Sequence, residues 1–289
     1  MGQVKIITDS TADIPKDLAE ALDISVVPIK VHLAGQSYLD GVDLFPSQFY
    51  QKMREITELP TTSQPSPLEI AEFYRKAIQS GAKQIFSLHI SSKMSGTYQS
   101  CMLAKAIAQE EYPDAEIMVY DSKSVAYALG VIVVLVARAA KEGKTLDELV
   151  QLADRVREKQ GLVALVDTLE YLQKGGRIGK AAALVGSLLS IKPIISISED
   201  GEVTAIDKAR GKNKAFSKVF ELLQQKVPVG PVYAAILHAD QEEDAKTWLN
   251  KVKMMYDVRE EIVVDIGPAV GTHAGPGTVG CLLVPLEQL

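Results

Sequence analysis

The sequence predicts an α/β fold in which an N-terminal three-layer domain with a parallel sheet precedes a C-terminal α+β domain with a mixed sheet. Three observations carry this prediction. Short β-branched runs alternate with longer helical patterns in the first half, which is typical of βαβ units. Near Gln160 the pattern changes, and strands and hairpin turns become more frequent. The chain of 289 residues also exceeds the usual size of a single hydrophobic core, so two domains are expected.

In the first half, β-branched runs predict strands at residues 4–8, 25–32, 84–89 and 116–120. Apolar residues at helical spacing, several preceded by Ser, Thr or Pro, predict helices at 46–56, 66–79, 96–111 and 125–141. The most apolar stretch, 125–137, is shorter than the roughly 20 residues of a membrane span, so it predicts a buried helix. In a parallel sheet of this kind the ligand crevice lies at the carboxyl ends of the strands.

The second half begins after a helix at 145–159. A strand is predicted at 162–166, and 193–209 has the pattern of a hairpin that turns at Glu199, Asp200 and Gly201. Further strands are predicted at 232–238, 261–266 and 279–284, with helices at 214–225 and 242–256. We therefore expect one domain over residues 1–160 and a second over 161–289.

Composition and charge narrow the function classes. The net charge of −6 and a pI near 5.4 provide no broad basic field, which argues against nucleic acid and anionic lipid surfaces as partners. The N-terminus lacks the basic and apolar regions of a secretory signal, so a cytoplasmic location is expected. Cys101 and Cys281 lie far apart without metal or redox spacing, so we expect buried thiols and neither a metal nor a cofactor.

A polar segment at 61–67 leads into the second predicted helix. One of its hydroxyl side chains suffices to cap that helix, yet four are present within six residues. The segment is therefore a candidate ligand site as well as a helix cap, with Thr61 and Thr62 at its start.

Ser95 and Gly96 lie at a second strand-to-helix junction. Backbone N–H groups and the helix dipole at such a position favour an anion. The Ser95 hydroxyl could contact a bound carboxylate, and Gly96 would let the backbone approach it closely. A simple N-cap serine is the alternative interpretation.

Ser95 also has to be considered as a nucleophile, because strand–serine–helix turns occur in hydrolases. The neighbouring residues do not match G-x-S-x-G, and no S-x-x-K motif supplies a lysine base. A histidine base could come from elsewhere in the chain, notably His273. A serine-dependent hydrolase or phosphotransferase that uses Ser95 and His273 is thus the alternative function.

The segment 267–277 joins two predicted strands and is rich in glycine and proline, so it is predicted to be a rigid loop that presents His273. An imidazole can donate a hydrogen bond to a carboxylate and, when charged, can pair with it. His32, His89 and His238 lie in or beside predicted strands, which favours structural roles.

Two basic segments interrupt the acidic chain. The segment 174–179 lacks the spacing of a phosphate loop and is predicted to be a helix end followed by a turn. Its Arg177, together with Arg210 in the basic stretch 208–212, could dock an acidic partner surface. Solvated basic faces are the alternative.

Five segments in order along nearly the whole chain resemble the DegV family of bacterial fatty-acid-binding proteins. They are Ile7-Thr8-Asp9-Ser10-Thr11, Thr62-Ser63-Gln64-Pro65-Ser66, Ser95-Gly96-Thr97-Tyr98, Gly175-Gly176-Arg177-Ile178 and the glycine-rich run from Gly271 to Gly277 around His273.

The resemblance implies a long-chain fatty acid such as palmitate in a tunnel between the two domains. It assigns the carboxylate to Thr62 and Ser95, places His273 nearby, and makes Thr61 and Gly96 secondary contacts. It further implies a carrier in lipid transport or fatty-acid metabolism rather than an enzyme, and in some members a separate fatty-acid kinase as partner. Besides the hydrolase, an interaction protein with a vestigial pocket stays open. The sequence leaves chain length and oligomeric state undecided.

Overall fold

The computed structural model describes residues 4–184 and 191–289. The strands are β1 Lys5–Asp9, β2 Ser25–Val27, β3 Lys30–Leu33, β4 Gln36–Leu39, β5 Thr61–Ser63, β6 Gln84–His89, β7 Glu116–Asp121, β8 Gly161–Leu165, β9 Ile191–Ile197, β10 Val203–Arg210, β11 Pro231–His238, β12 Asp257–Asp265 and β13 Val279–Pro285. The α-helices are α1 Lys16–Ala21, α2 Pro46–Glu55, α3 Pro67–Gln79, α4 Thr97–Glu111, α5 Tyr127–Lys141, α6 Leu146–Lys159, α7 Glu170–Lys174, α8 Lys212–Lys226, α9 Glu242–Lys253 and α10 Pro268–Ala274.

The first half contains the predicted parallel sheet, with strand order β2-β1-β6-β7. Apolar residues of α3 and α4, such as Tyr74 and Cys101, pack on one face of this sheet. Residues of α5 pack on the other face, against Phe86 and Leu88. The three layers and their parallel strands confirm the predicted fold class.

Helix α5 is apolar on nearly every side. Eleven of its residues are buried, including all four of Val131, Ile132, Val133 and Val134. A helix that is hydrophobic all round needs neighbours on all sides. Here those neighbours are the parallel sheet, α6 and the inner face of the six-stranded sheet that the second half of the chain forms. The predicted buried helix is confirmed.

The predicted strand at 25–32 is wrong as a single element. Pro28, which cannot donate to a strand ladder, lies between β2 and β3, and the two strands belong to different sheets. β3 forms a small antiparallel sheet with β4 and β5 in the order β4-β3-β5.

The second half of the chain forms a six-stranded mixed sheet, in the order β10-β9-β8-β13-β11-β12, in which only β11 and β12 pair in parallel. The predicted hairpin is confirmed as β9 and β10. Phe220 of α8 and Trp248 of α9 pack on the outer face. The inner face, with Tyr233 and Leu237, packs toward α5.

The two smaller sheets lie before Gln160 and the six-stranded sheet lies after it. This distribution supports our proposal that the chain divides into residues 1–160 and 161–289. None of the helices within the described parts of the chain is long and apolar enough to cross a membrane.

Candidate functional site

A cavity lies between the parallel sheet and the inner face of the six-stranded sheet. Most of its wall is apolar, with side chains from both halves of the chain such as Ile90, Met94, Val125, Leu162, Ile195 and Leu237. Its polar lining residues include Thr62, Ser95, Arg177 and His273. Three of the predicted site residues, and one predicted to lie on a docking surface, are thus found around one cavity.

Thr62 reaches the cavity because β5 is a strand. Side chains alternate along a strand, so Thr62 points to one face and its neighbour Thr61 to the other. Thr61 is exposed and, within the described residues, does not line the cavity, so this geometry does not support the prediction of Thr61 as a ligand contact. The segment was predicted to be a loop, and the alternation was therefore missed.

Ser95 lies in the turn before α4. Its Oγ accepts a hydrogen bond from the Thr97 backbone N–H at 3.2 Å and lies 2.8 Å from Thr97 Oγ1. Gly96 is the N-cap of α4 and does not line the cavity. A Cβ there would lie 2.4 Å from Nε2 of Gln64, so the missing side chain allows the segment that follows Thr62 to pack against the Ser95 turn.

His273 is on helix α10, not on a loop as predicted. Pro268 begins this helix and Gly275, with a φ of +78°, follows its end. His273 Nε2 lies 2.9 Å from Thr62 Oγ1, which joins the two halves of the chain at the cavity. Burial, with a smaller contribution from the Arg177 charge, lowers the pKa of His273 to about 4. The imidazole is therefore neutral near pH 7.

The other imidazole nitrogen, Nδ1, is buried and has no hydrogen-bond partner among the described residues. A Cβ at Gly175 would lie only 2.2 Å from it, so the backbone of the turn after α7 covers this side of the ring. An unpaired buried N–H costs more than an unpaired lone pair in this position. The proton is thus expected on Nε2, which donates to Thr62 and leaves the threonine hydroxyl free to donate to a ligand.

Arg177 belongs to the cavity wall and is half-buried. Its Nε donates to the Met94 carbonyl at 3.1 Å and its Nη1 to the Gly175 carbonyl at 2.7 Å. A guanidinium has five N–H groups, so others can face an anion in the cavity. Arg210 is different, because it is exposed at the end of β10 that is remote from the cavity-lining Val203.

A buried carboxylate that the sequence did not single out fixes part of the wall. Asp9 accepts hydrogen bonds from the backbone N–H groups of Thr11 and Ile90, both of which line the cavity. It also lies 2.9 Å from His89 Nδ1, and His89 Nε2 lies 2.6 Å from Ser87 Oγ. This Asp–His–Ser chain resembles a catalytic triad, but all three residues are 0% exposed. This burial favours the structural role that was predicted for His89.

Helix α10 is anchored by side chains from the first half of the chain. Asp13 Oδ1 accepts the Gly267 N–H at 3.0 Å, and the Tyr50 hydroxyl donates to the Ile266 carbonyl at 2.8 Å. The buried Asp40 carboxyl lies beside Ser10 and the Ala269 N–H, and both lower its pKa. These contacts hold the helix that carries His273.

Comparisons with known proteins show to which family the chain belongs. The family model described as "Uncharacterised protein, DegV family" matches residues 3–286. The chain belongs to the DegV family. A DegV domain-containing protein of Clostridium perfringens is 38% identical over 278 residues, which cover 96% of this chain and 97% of that protein.

Solved DegV structures share the fold over almost the whole length. A DegV family protein from Thermus thermophilus, described as fatty acid binding, has 35% identity and a TM-score of 0.90 and covers 99% of this chain and 100% of its own. A stearic acid-binding protein from Eubacterium ventriosum has 27% identity and a TM-score of 0.91, with the same coverage. DegV of Bacillus subtilis, described as a fatty acid binding protein, has 30% identity and a TM-score of 0.87 and covers 98% of this chain and 99% of its own.

The geometry of this DegV site bears on the alternative of a hydrolase. A nucleophilic serine needs a base within hydrogen-bond reach and a third group that orients the base. His273 Nε2 is bonded to Thr62, and its Nδ1 has no partner in the described residues. Within residues 4–184 and 191–289, no group of three or more His, Cys, Asp or Glu side chains is arranged to hold a metal ion.

Proposed function

We propose that this DegV protein binds one long-chain fatty acid in the cavity between its parallel sheet and its six-stranded sheet and acts as a carrier. The observation that carries the proposal is a mainly apolar cavity whose polar lining residues include Thr62, Ser95, Arg177 and His273. A long apolar wall with a few polar groups suits a ligand that has one polar end. The relatives described as fatty acid binding add support over the whole chain length.

The acyl chain supplies most of the affinity. Burial of about fifteen methylenes at roughly 0.8 kcal/mol each gives about 12 kcal/mol before the costs of ordering are subtracted. The polar groups mainly orient the ligand, because an unpaired carboxylate inside the protein would cost several kcal/mol. Palmitate has a chain of this size, and it is the ligand that we propose.

The head group is proposed to accept hydrogen bonds from the hydroxyls of Thr62 and Ser95. Ser95 Oγ accepts from the Thr97 N–H, and if Thr97 Oγ1 donates across their 2.8 Å contact, the Ser95 proton can point into the cavity. The neutral His273 holds Thr62 in place through Nε2. Arg177 supplies positive charge at the same wall.

A carrier fits these contacts better than an enzyme. The imidazole that would serve Ser95 as a base is engaged by Thr62, and the described residues provide no group to orient it. We further propose that the protein takes part in lipid transport or fatty-acid metabolism and presents the bound fatty acid to a fatty-acid kinase. The polar end must then be reachable from the surface while the chain stays sheltered.

Mass spectrometry of lipid extracted from freshly purified protein tests the proposed ligand. We expect about one fatty acid per chain, because a chain of fifteen methylenes dissociates slowly from an apolar cavity. The same preparation should not turn over acyl-nitrophenyl esters or acyl phosphates. An empty cavity together with turnover that disappears in Ser95→Ala would establish the hydrolase instead.

The proposed kinase contact is tested by a matched pair of arginines. Arg177→Glu should slow the ATP-dependent phosphorylation of bound fatty acid by a candidate kinase from the same organism, because rim charges act on encounter rate and salt sensitivity. Arg210→Glu makes the same charge change far from the cavity. Fatty-acid affinity is measured in parallel, since Arg177 also bonds the cavity wall. Equal phosphorylation rates at low salt in both variants and the parent would exclude docking by either arginine.

A further inference from the structure

One glycine in the cavity wall has no conformational reason to be a glycine. Gly280 is buried in β13, the fourth strand of the six-stranded sheet. It is not among the glycines with positive φ, and its pairing with Ala164 and Leu237 continues without a register shift. A glycine inside a strand weakens it and often marks a bulge or the close approach of a ligand or another backbone. The first of these explanations does not apply to Gly280.

Close packing of another segment does not explain it either. A Cβ at Gly130 would lie 2.3 Å from the Ala12 carbonyl oxygen, and one at Gly271 would lie 2.5 Å from the Tyr50 hydroxyl. Those two glycines are required by their neighbours. A Cβ at Gly280 would instead have its nearest atoms in the flanking strands of the same sheet, at ordinary contact distances of 3.4 to 3.8 Å. None of the three atoms nearest to such a Cβ belongs to the layer opposite, so close packing of that layer does not require a glycine here.

The space above Gly280 is part of the cavity. Ile195, Ala164, Gly280 and Leu237 pair in one row across β9, β8, β13 and β11, and all four line the cavity. The two central members have the smallest side chains, so the row has a gap between two large residues. Further along the inner face of β13, Leu282 is fully buried and packed in the core.

We infer that Gly280 determines which acyl chains the cavity accepts, because the chain passes through the gap that this residue leaves in the sheet. The inference rests on the proposed fatty-acid function. A branched side chain at position 280 would fill the gap and exclude the part of the chain that lies beyond it. Chains too short to reach the gap would not be affected.

The test is a chain-length series with purified, delipidated protein. Dissociation constants of laurate, palmitate and stearate are measured for the parent and for Gly280→Val. Each methylene kept out of the cavity costs roughly a factor of four. We expect palmitate and stearate to bind at least about tenfold more weakly, with laurate within about threefold of the parent.

Cys281→Val is the matched control. Cys281 is the next residue of β13, is 0% exposed, and faces the opposite side of the sheet under α8 and α9. The Cys281→Val variant should therefore have the same ratio of laurate to stearate affinity as the parent. Gly280→Ala adds a single methyl group at ordinary contact distance and should shift the ratio in the same direction by about twofold to fourfold, which keeps the test possible if Gly280→Val does not fold.

An unchanged chain-length ratio in both Gly280 variants would overturn the inference, as would a uniform loss for all three ligands, because that loss would indicate damage to the head-group site or the fold. If the parent itself binds no fatty acid, the proposed function fails instead.

Discussion

Replacement of Asp40 by Asn should remove the contribution of Asp40, about 4 kcal/mol, to the loss of stability between pH 4 and pH 7. Asp40 is 3% exposed and its Oδ2 has no hydrogen-bond partner among the described residues. Burial, opposed by hydrogen bonds from Ser10 and Ala269 and reinforced by the Asp9 charge, raises the pKa of Asp40 from 3.8 to about 7. Burial and the nearby charges of Asp40, Asp9 and Asp265 also raise the pKa of Asp13.

The direction in which stability changes with pH follows from proton binding. Between pH 3.8 and about 7, Asp40 is protonated in the folded protein and ionised in the unfolded chain, so the folded state binds more protons and loses stability as the pH rises. Three pKa units correspond to about 4 kcal/mol, which the parent loses over this range and the Asn variant does not. An asparagine has a similar shape to the protonated Asp40 and carries no charge at any pH.

Urea denaturation at pH 4, 5.5, 7 and 8.5 measures this effect as the difference in unfolding free energy between the two proteins. Asp114→Asn, in an exposed turn, makes the same chemical change at the surface and serves as the control. If Asp40→Asn and the parent lose stability in parallel across the range, the Asp40 carboxyl is not buried as an acid in solution.

Replacement of both Thr62 and Ser95 by Ala should weaken fatty-acid binding by about 3 kcal/mol or more, roughly a hundredfold. Each hydroxyl is expected to donate a charge-assisted hydrogen bond of about 1.5 kcal/mol to the carboxylate. The double variant also removes the partner of His273 Nε2, so the polar end of the cavity loses its organisation. Calorimetric titration of delipidated protein with palmitate gives the measurement.

Thr61→Ala is the control for this experiment, because it removes the same hydroxyl from the adjacent residue on the exposed face of β5. Melting temperatures distinguish lost binding from lost stability, since Ser95 also accepts the Thr97 N–H. Unchanged affinity in the double variant would exclude these hydroxyls as the carboxylate site. An equal loss in Thr61→Ala would mean that the β5 segment, and not the Thr62 hydroxyl, is responsible.

Elements with strong periodicity were predicted well from the sequence. The strand at Gln84–His89 is confirmed to the residue, and α5 was recognised as buried from its composition alone. The predictions failed where the overall composition of a segment favoured one structure and its start and end residues favoured another. The run around His273 looked like a loop because it is rich in glycine, yet Pro268 and Gly275 are ordinary signals for the start and end of a helix.

In the candidate site, too, some residues could be identified from the sequence and others could not. Thr62, Ser95 and His273 were singled out by chemistry and by family resemblance, and the structure brings all three to one cavity. Their proposed roles stay predictions. Arg177 was assigned to a docking surface because it lies in a basic segment of an otherwise acidic chain. Its place in the cavity wall depends on the Met94 and Gly175 carbonyls, which the sequence does not reveal. The role proposed for Gly280 could not be predicted from the sequence, because the absence of a side chain matters only where the surrounding structure leaves space for a ligand.

The burial of α5 between two sheets has a consequence for synthesis on the ribosome. One side of this helix packs on strands that precede it in the chain, but another packs toward residues such as Tyr233 and Leu282, which emerge much later. The hydrogen bond between the Tyr127 and Tyr233 hydroxyls, 2.9 Å apart, likewise cannot form before Tyr233 has been synthesised. Until the second half is made, an apolar helix surface stays uncovered and open to aggregation or to chaperone binding. The first half of this protein is therefore expected to complete its folding only after the second half has been synthesised.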